Sequence, residues 1–403
     1  MSILGVWMWP QNVSLYGAAH VVSHCARAGV TDIYFLTKGL AGTAAYKSAY
    51  APPGSENDLL RELLDAAHRH GIRVHAWFTS ASDAHYKRLH PESGRCHFTR
   101  GKDNDLIAIT DEGYLAYMET IVSELCTGYE IDGLHLDYIR YNHMLYGWDE
   151  SDMARYAKEG ADIPHLRSLI TRTFLSDPKE ESCIFDALRA GDASATAFAR
   201  VRRQDVYRFA KRITSLARAK NSSLILSAAL MPEGAYPDTA FADLHYGQSY
   251  QDAAALYDYA LPMAYSKAYE KDSAWVRHVA EGTMKTGAKT IVGLHAYEGG
   301  TGASLQADIA ALGASGAEGV CLFREGAFVF AYQNGSKLCV YNALTQPVTR
   351  IEAKCGEETL RVETTIEPGA ETCISLPAAP LAVRAYTPQA ETCVYLTREH
   401  SPL

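Results

Sequence analysis

IDGLHLDYIRY, residues Ile131–Tyr141, is the most informative segment of the 403-residue chain. Its first half alternates apolar residues with polar residues or glycine and ends on Asp137. This is the pattern of a short strand that carries a polar group at its end. A carboxylate rarely finishes an apolar strand for structural reasons alone, because charged groups are seldom buried without a partner. In a closed parallel barrel, by contrast, the carboxyl ends of the strands form the active site.

Seven further apolar runs of similar length occur along the chain, separated by amphipathic segments with helical periodicity. The eight predicted strands are Leu4–Trp9, Asp32–Thr37, Arg73–Phe78, Asp132–Asp137, Leu224–Leu230, Ala260–Tyr265, Thr290–His295 and Gly319–Phe323. The helices predicted between them include Glu56–His70, Tyr114–Cys126, Arg203–Ala219, Ser273–Thr286 and Ser304–Leu312. This alternation predicts an α/β fold, a (β/α)8 TIM barrel over residues 1–325, rather than an open sheet.

The character of the sequence changes after Glu325. Residues 326–403 contain short β-branched runs such as KLCVYNA and TLRVETTIE, separated by turn signals such as Asn334-Gly335. They predict a small antiparallel, β-sandwich-like C-terminal domain that packs against the barrel. A long, mostly polar insertion, Asn142–Asp192, follows the fourth strand, and such an insertion usually shapes the mouth of a barrel.

Composition excludes several classes of partner. The formal net charge is -9 and no run is rich in Lys or Arg, so nucleic acid is not expected to bind. No apolar run approaches the length of about 18 residues that a membrane span needs. The first ten residues, MSILGVWMWP, are typical of a strand and not of a signal peptide. We therefore expect a cytoplasmic protein; the alternative is an exported protein whose signal peptide is not part of this sequence.

The cysteines and acidic runs do not indicate a metal site. The nine cysteines are scattered from Cys25 to Cys393, without a CxxC pair or a Cys/His cluster of zinc-binding spacing. We expect reduced thiols, with a disulfide inside the C-terminal domain as the alternative. The run Asp103–Asp105 lacks the glycine and the terminal glutamate of an EF-hand, so it is predicted to be an ordinary loop. The sequence thus predicts neither a metal nor a cofactor.

Aromatic and charged residues are enriched at the predicted strand ends, where barrel enzymes place their functional groups. Aromatic faces stack on pyranose rings and charged groups bind sugar hydroxyls, so this enrichment favours carbohydrate recognition. Some of these residues also have a structural interpretation. The tryptophans and His75 could be core side chains, and Lys38 could be a solvated surface side chain. The candidate substrate-binding residues are Trp7, Trp9, Lys38, His75, Trp77, His135, Tyr138, Arg140, Tyr265, His295, Glu298, Arg324 and Glu325.

Asp137 is the central catalytic candidate. Period-two alternation places His135 one layer beneath it on the inward face, as a hydrogen-bond partner, and Tyr265 is placed to orient it. The alternative is a structural aspartate that caps a helix or pairs with Arg140. Glu233, shortly after the fifth strand, is the preferred second carboxylate, and its alternative is a surface glutamate. The rival acids are Glu298 and Glu325.

The segment Ile131–Tyr141, together with four others, resembles the family 10 glycosyl hydrolase-like proteins. The other segments are VHAWFTS (Val74–Ser80), RRQDVYRFAKRI (Arg202–Ile213), ILSAALMPE (Ile225–Glu233) and YALPMAY (Tyr259–Tyr265). This resemblance implies a (β/α)8 barrel and glycoside hydrolysis. The strand-four pattern is also similar to the alpha-amylase group, in which a basic residue supports the nucleophile from two positions before it and the acid/base glutamate follows strand five. His135, in place of the usual arginine, and Glu233 stand at those positions.

The sequence therefore predicts a glycoside hydrolase acting on a poly- or oligosaccharide, such as a bacterial or gut-derived glycan. Asp137 is the expected nucleophile or transition-state stabiliser, and Glu233 the expected acid/base. With an N-acetylated substrate, such as an aminosugar polymer, Asp137 would instead orient the N-acetyl group for substrate-assisted attack. The first alternative is a non-catalytic carbohydrate-binding barrel. The second is a barrel enzyme of other chemistry, such as a lyase or a metal-dependent hydrolase.

Overall fold

The computed structural model of the chain describes residues 2–297 and 299–397, apart from the side chains of residues 103–105. The ten strands of its first part are β1 (Ile3–Met8), β2 (Asp32–Lys38), β3 (Arg73–Thr79), β4 (Gly94–His97), β5 (Gly101–Ile107), β6 (Gly133–Asp137), β7 (Ile225–Leu230), β8 (Tyr259–Ala264), β9 (Ile291–His295) and β10 (Gly319–Phe323). Strands β4 and β5 form a separate hairpin. The other eight close into a parallel barrel in the order β1-β2-β3-β6-β7-β8-β9-β10. The predicted barrel is confirmed, and its strand boundaries differ from the prediction by at most one residue.

Thirteen α-helices occur in the described part of the chain. They are α1 (Pro10–Tyr16), α2 (Ala18–Arg27), α3 (Leu59–His68), α4 (Ala84–Leu89), α5 (Glu112–Gly128), α6 (Glu150–Lys158), α7 (Ile163–Phe174), α8 (Cys183–Arg189), α9 (Ala193–Lys220), α10 (Ala240–His245), α11 (Tyr250–Leu256), α12 (Ser273–Lys285) and α13 (Gly302–Leu312). Helix α9 begins ten residues before its predicted start because Asp192 caps it by accepting a hydrogen bond from Ala195 N. Among the described helices, none combines the length and the apolar character that crossing a bilayer requires.

Large side chains fill the barrel interior, as is usual for this fold. Trp7, Tyr34, Trp77, Leu261 and Cys321 form one buried apolar cluster there. The Trp7 ring lies against β9 at Gly293, where a Cβ atom would be only 2.8 Å from the indole. A side chain at this position would displace the indole, so the glycine makes room for the tryptophan.

Two insertions rise from neighbouring strand ends. The hairpin β4–β5 follows β3 and contains residues 103–105 in its second strand, so the prediction of a loop at this position is wrong. The fully buried Arg95 ties the hairpin to the segment after β6, donating to Arg140 O (3.1 Å) and to Asn142 Oδ1 (2.9 Å). The polar insertion after β6 folds into helices α6, α7 and α8, which share a separate apolar cluster around Trp148 and Tyr156.

The C-terminal part of the chain is a two-sheet sandwich. Its strands are β11 (Val329–Asn334), β12 (Lys337–Asn342), β13 (Val348–Cys355), β14 (Glu358–Ile366), β15 (Glu371–Ser375), β16 (Ala382–Tyr386), β17 (Glu391–Thr392) and β18 (Val394–Thr397). The sheets β15-β12-β11-β18 and β14-β13-β16-β17 enclose a common core that includes Val340, Ile351 and Val383. The pairs are antiparallel, as predicted, except that β11 and β18 run parallel.

The sandwich packs on helix α2 of the barrel. His24 stacks on the Tyr341 ring at 3.6 Å between centroids, and Arg27 pairs with Glu371 at 3.1 Å. Cys339 and Cys373 are joined by a disulfide that links β12 to β15. The expectation of reduced thiols is therefore wrong for this pair, because the antiparallel register places the two residues directly opposite each other. The other seven cysteines are free.

Candidate active site

Asp137 stands at the last position of β6 and is only 7% exposed. Its Oδ2 accepts a hydrogen bond from Trp77 Nε1 at 3.2 Å, and its Oδ1 accepts one from Tyr138 N at 2.7 Å. The Arg140 guanidinium lies 3.7 Å from Oδ1. Burial raises the pKa of the Asp137 carboxyl, and the Arg140 charge and the two hydrogen bonds offset part of this rise.

The backbone directly after Asp137 is in an uncommon conformation. Tyr138 has φ 55°, in the left-handed region that large side chains rarely adopt, and such positions cluster at functional sites. The Tyr138 ring lies under the Arg140 guanidinium, 4.6 Å from its carbon. Arg140 Nη1 is buried, and it has no hydrogen-bond partner among the described residues. A cationic donor is thus held at the carboxylate and remains free to bind a ligand.

His135 lies beneath Asp137 and belongs to a different hydrogen-bond set. Trp7 Nε1 donates to His135 Nε2 at 3.1 Å, and His135 Nδ1 lies 2.9 Å from Ser227 Oγ. Because an indole nitrogen only donates, Nε2 carries no proton and Nδ1 donates to the serine. Burial and the nearby His75 lower the pKa of His135 well below its usual value, so the ring is neutral. The predicted hydrogen bond from His135 to Asp137 is wrong; His135 instead positions Trp7.

Glu233 provides a second carboxyl at the mouth. It follows β7 in a short 3-10 helix, Pro232–Ala235, and its Oε1 accepts hydrogen bonds from Tyr246 (3.4 Å) and Tyr269 (3.3 Å). Its Oε2 is buried without a hydrogen-bond partner among the residues described. Burial raises the pKa of Glu233, while the tyrosine hydroxyls and the Arg140 charge oppose the rise. The Arg140 charge therefore acts on Glu233 as well as on Asp137.

Aromatic side chains surround the two carboxyls. Tyr269 stacks on Trp275 with 5.1 Å between centroids, and the Trp275 indole donates to Tyr236 at 2.7 Å. Tyr265 packs near Phe323 (5.6 Å); burial and then the Asp137 charge raise the pKa of its hydroxyl well above the usual value. His295 is buried beside it and stacks on Tyr297 at 3.9 Å. At the rim, Arg324 lies over Trp9, which is 37% exposed, with 3.6 Å to the ring centroid.

Three predicted substrate-binding residues are engaged in internal polar pairs. Lys38 is fully buried and lies 2.7 Å from Asp83, so it is not solvated either. His75 Nε2 is 2.8 Å from Asp32 Oδ1, deep in the barrel. Their placement argues against direct substrate contact, because Lys38 Nζ and His75 Nε2 each already lie against a buried carboxylate.

Glu325, the third of these residues, is 1% exposed and accepts a hydrogen bond from Asn12 Nδ2 at 2.9 Å. The same amide donates to Ala343 O in the sandwich, so Glu325 points toward the junction of the two parts of the chain. This placement also argues against Glu325 as the rival acid. Glu298, the other rival, lies outside the described residues.

Sequence reasoning did not identify four residues that support the site, Ser227, Tyr246, Tyr269 and Trp275. Three of them come from loops and helices well beyond the strand ends, and no local pattern marks them. Ser227 was identifiable in principle, because it is the only hydroxyl residue in the apolar strand β7 and hydroxyls in such strands need a partner.

The comparisons with known proteins agree with the barrel. Residues 33–297, which include Asp137 and Glu233, match the family described as Glycosyl hydrolase-like 10. No curated protein sequence matches the chain. The chain is similar to the solved PgaB (BpsB) glycoside hydrolase domain from Bordetella bronchiseptica, with a TM-score of 0.65 and 13% identity over 81% of this chain and 94% of that one.

Two further solved structures are similar over the same part of the chain. The catalytic domain of beta-amylase from Paenibacillus polymyxa has a TM-score of 0.56 and 12% identity, covering 80% of this chain and 92% of that one. The alpha-L-fucosidase isoenzyme 2 from Paenibacillus thiaminolyticus has a TM-score of 0.57 and 15% identity, covering 80% and 46%. At these identities the likeness establishes the fold that the chain shares with these proteins.

Proposed function

Because the chain belongs to the glycosyl hydrolase-like 10 family, we propose that it hydrolyses glycosidic bonds of a poly- or oligosaccharide at the ends of β6 and β7. The observation that carries the proposal is a pair of desolvated carboxyls that share one cation, Arg140. Arg140 Nη1 and Glu233 Oε2 are both buried without a partner among the described residues, and sugar hydroxyls would satisfy both atoms.

Glu233 is the proposed general acid. Burial raises its pKa, although its own backbone amide, the hydroxyls of Tyr269 and Tyr246 and the Arg140 charge favour the ionised form. A carboxyl in this environment keeps its proton closer to neutral pH than an exposed one. The proton passes to the glycosidic oxygen as the bond from that oxygen to the anomeric carbon breaks, so the departing sugar leaves as a neutral alcohol.

Asp137 is the proposed counter-charge. The Arg140 guanidinium, the Trp77 indole and the Tyr138 amide all favour its carboxylate form. The carboxylate acts on the positive charge that develops at the anomeric carbon. It does so as a nucleophile, as the base that activates water, or by orienting an N-acetyl group of the substrate. In each case a water molecule supplies the new hydroxyl at the anomeric carbon.

The surrounding side chains are the proposed sugar contacts. Trp77, Tyr138, Tyr265 and His295 surround Asp137, and Trp9 with Arg324 forms the rim. Flat aromatic rings suit the C–H faces of pyranoses, and guanidinium groups suit hydroxyl pairs. The proposed substrates are bacterial and gut-derived glycans, including aminosugar polymers.

The first experiment measures reducing-end release from a glycan panel that includes aminosugar polymers. The proteins are the wild type, Asp137→Asn, Glu233→Gln and the matched control Glu281→Gln, which changes a partly exposed carboxyl on α12. We expect wild-type and control activity and a loss of at least about 100-fold in the two site variants, with folding intact by circular dichroism. Glycan binding without any release would favour a carbohydrate-binding barrel instead.

A second measurement separates the roles of the two carboxyls. A dinitrophenyl leaving group departs without protonation, so Glu233→Gln should lose much less activity on a dinitrophenyl glycoside than on the corresponding disaccharide. Asp137→Asn should lose activity on both substrates. Equal losses for Glu233→Gln on the two substrates would contradict its role as the acid.

A further inference from the structure

A row of aromatic rings leads away from Glu233, and we call Tyr246, Phe241 and Phe185 the aromatic strip. Tyr246 donates its hydroxyl to Glu233. The Phe241 ring lies 5.7 Å from Tyr246, edge to face, and 5.8 Å from Phe185 at an interplanar angle of only 9°. The strip thus extends from the proposed acid along α10 to helix α8 of the insertion that follows β6.

The strip is partly open to solvent through Phe241 and Phe185, whereas Tyr246 is buried against Glu233. Phe241 is 37% exposed although it has aromatic neighbours on two sides. Its ring stacks on His245, one turn later on the same face of α10, with 4.3 Å between centroids. His245 in turn contacts His143, in the segment that follows β6 and Asp137. The face of α10 that carries Phe241 is therefore continuous with the catalytic strand ends.

The rings in and beside the strip carry no charge at neutral pH. Burial first, and then neighbouring positive groups, lower the pKa of His245 to about 3 and that of His143 to about 4. Neutral rings, of which Phe241 and Phe185 are nearly parallel, suit the apolar face of a sugar better than they suit an ion.

We propose that the aromatic strip binds the sugar units on the leaving-group side of the scissile bond, so that the substrate carries at least two sugars beyond it. The inference rests on the proposed role of Glu233, because a general acid stands beside the oxygen of the departing sugar. Since Tyr246 contacts Glu233 and Phe241 contacts Tyr246, the chain that leaves runs across the exposed ring of Phe241 toward Phe185. The ligand class is therefore an oligosaccharide with an uncharged leaving-group segment.

The test is the position of cleavage in hexasaccharides of glucose, galactose or N-acetylglucosamine that are labelled at the reducing end. The wild type should release labelled fragments of two or more sugars. Phe241→Ala should shift release toward labelled monosaccharide and should lower kcat/KM for the hexasaccharide about tenfold more than kcat/KM for an aryl glycoside. Phe241→Tyr, which keeps the ring, should restore most of the wild-type pattern. Leu381→Ala, an exposed apolar change in the sandwich, is the matched control.

The outcomes separate this inference from the proposed function. If the wild type cleaves and Phe241→Ala gives the same fragments and the same kcat/KM ratio, the aromatic strip is not a subsite although the hydrolase proposal stands. A shift toward longer labelled fragments would place the strip on the other side of the bond and overturn the assignment. If the wild type binds the hexasaccharides without cleaving them, the hydrolase proposal fails, and the leaving-group assignment fails with it.

Discussion

Replacing Glu325 by glutamine should remove a pH-dependent loss of stability that the wild-type protein carries. Burial raises the pKa of this carboxyl from the usual 4.5 to about 7, against the hydrogen bond from Asn12 and the charge of Arg324. At about 1.4 kcal/mol for each tenfold change in proton affinity, this difference corresponds to about 3 kcal/mol. Glutamine preserves the shape of the side chain and an oxygen that accepts from Asn12, and it never ionises.

The direction of the effect follows from where each state releases the proton. Below pH 4.5 both the folded and the unfolded protein hold it, so the group does not change stability there. Between pH 4.5 and 7 the unfolded chain releases the proton while the folded protein keeps it, and stability falls as the pH rises. Above pH 7 the full loss of about 3 kcal/mol is present.

Urea unfolding at pH 5, 6, 7 and 8, followed by tryptophan fluorescence, measures this effect. The free energy of unfolding of Glu325→Gln, relative to the wild type, should rise by up to about 3 kcal/mol between pH 5 and pH 8. Glu358→Gln, at an exposed position of β14, is the control and should follow the wild type. If the free energies of unfolding of the wild type and Glu325→Gln change with pH in parallel, the reasoning is refuted. Such a result would show that Glu325 ionises in the folded protein without loss of stability.

Three other predictions concern the internal pairs and the acid. Lys38→Met leaves Asp83 as an unpaired buried charge and should lower the free energy of unfolding by about 3–5 kcal/mol. The double variant Lys38→Met/Asp83→Leu should regain a large part of that free energy. If the losses of the two single variants simply add in the double variant, the pairing is contradicted. Reduction of the disulfide Cys339–Cys373, which spans 34 residues, should destabilise the sandwich by about 3–4 kcal/mol, and reductant should leave the double variant Cys339→Ala/Cys373→Ala unaffected. Activity should fall as the pH rises through the raised pKa of Glu233, and this alkaline limb should disappear from the residual activity of Glu233→Gln on a dinitrophenyl glycoside.

The barrel was predictable because each of its strands is signalled locally. A short apolar run between turn residues indicates a strand whichever element it pairs with, and eight runs that alternate with helices permit few topologies. The site was predictable only where chemistry coincides with a strand end, as it does for Asp137. The partners of Lys38, His75 and Glu325 were not predictable, because Asp83, Asp32 and Asn12 are distant in the chain or unmarked by any periodicity.

The support of Glu233 was hidden for the same reason. Tyr246 and Tyr269 lie 13 and 36 residues after the carboxyl that they contact, on separate segments. The parallel register of β7 and β8 is what brings their loops together above the barrel. The disulfide was predicted only as the alternative to reduced thiols and without its partners, because only the pairing of β12 with β15 places Cys339 opposite Cys373.

The buried carboxyls divide into two kinds according to what satisfies them. Asp32 receives hydrogen bonds from Arg73, His75 and Thr31, which lower its pKa to about 2 although burial opposes them, and Asp83 has Lys38. These carboxylates have their cationic partners within the fold. At the mouth, two carboxyls share Arg140, whose Nη1 lies 3.7 Å from Asp137 Oδ1 and, like Glu233 Oε2, makes no hydrogen bond with the described residues.

An unsatisfied buried polar group costs about 1–3 kcal/mol, so a pair of them at the mouth favours a ligand that completes their hydrogen bonds. Arg140 Nη1 and Glu233 Oε2 are such a pair, one a donor and the other an acceptor. A sugar hydroxyl is at once a donor and an acceptor, so one substrate satisfies both atoms. The unmet hydrogen bonds therefore support the proposed polyhydroxylated substrate.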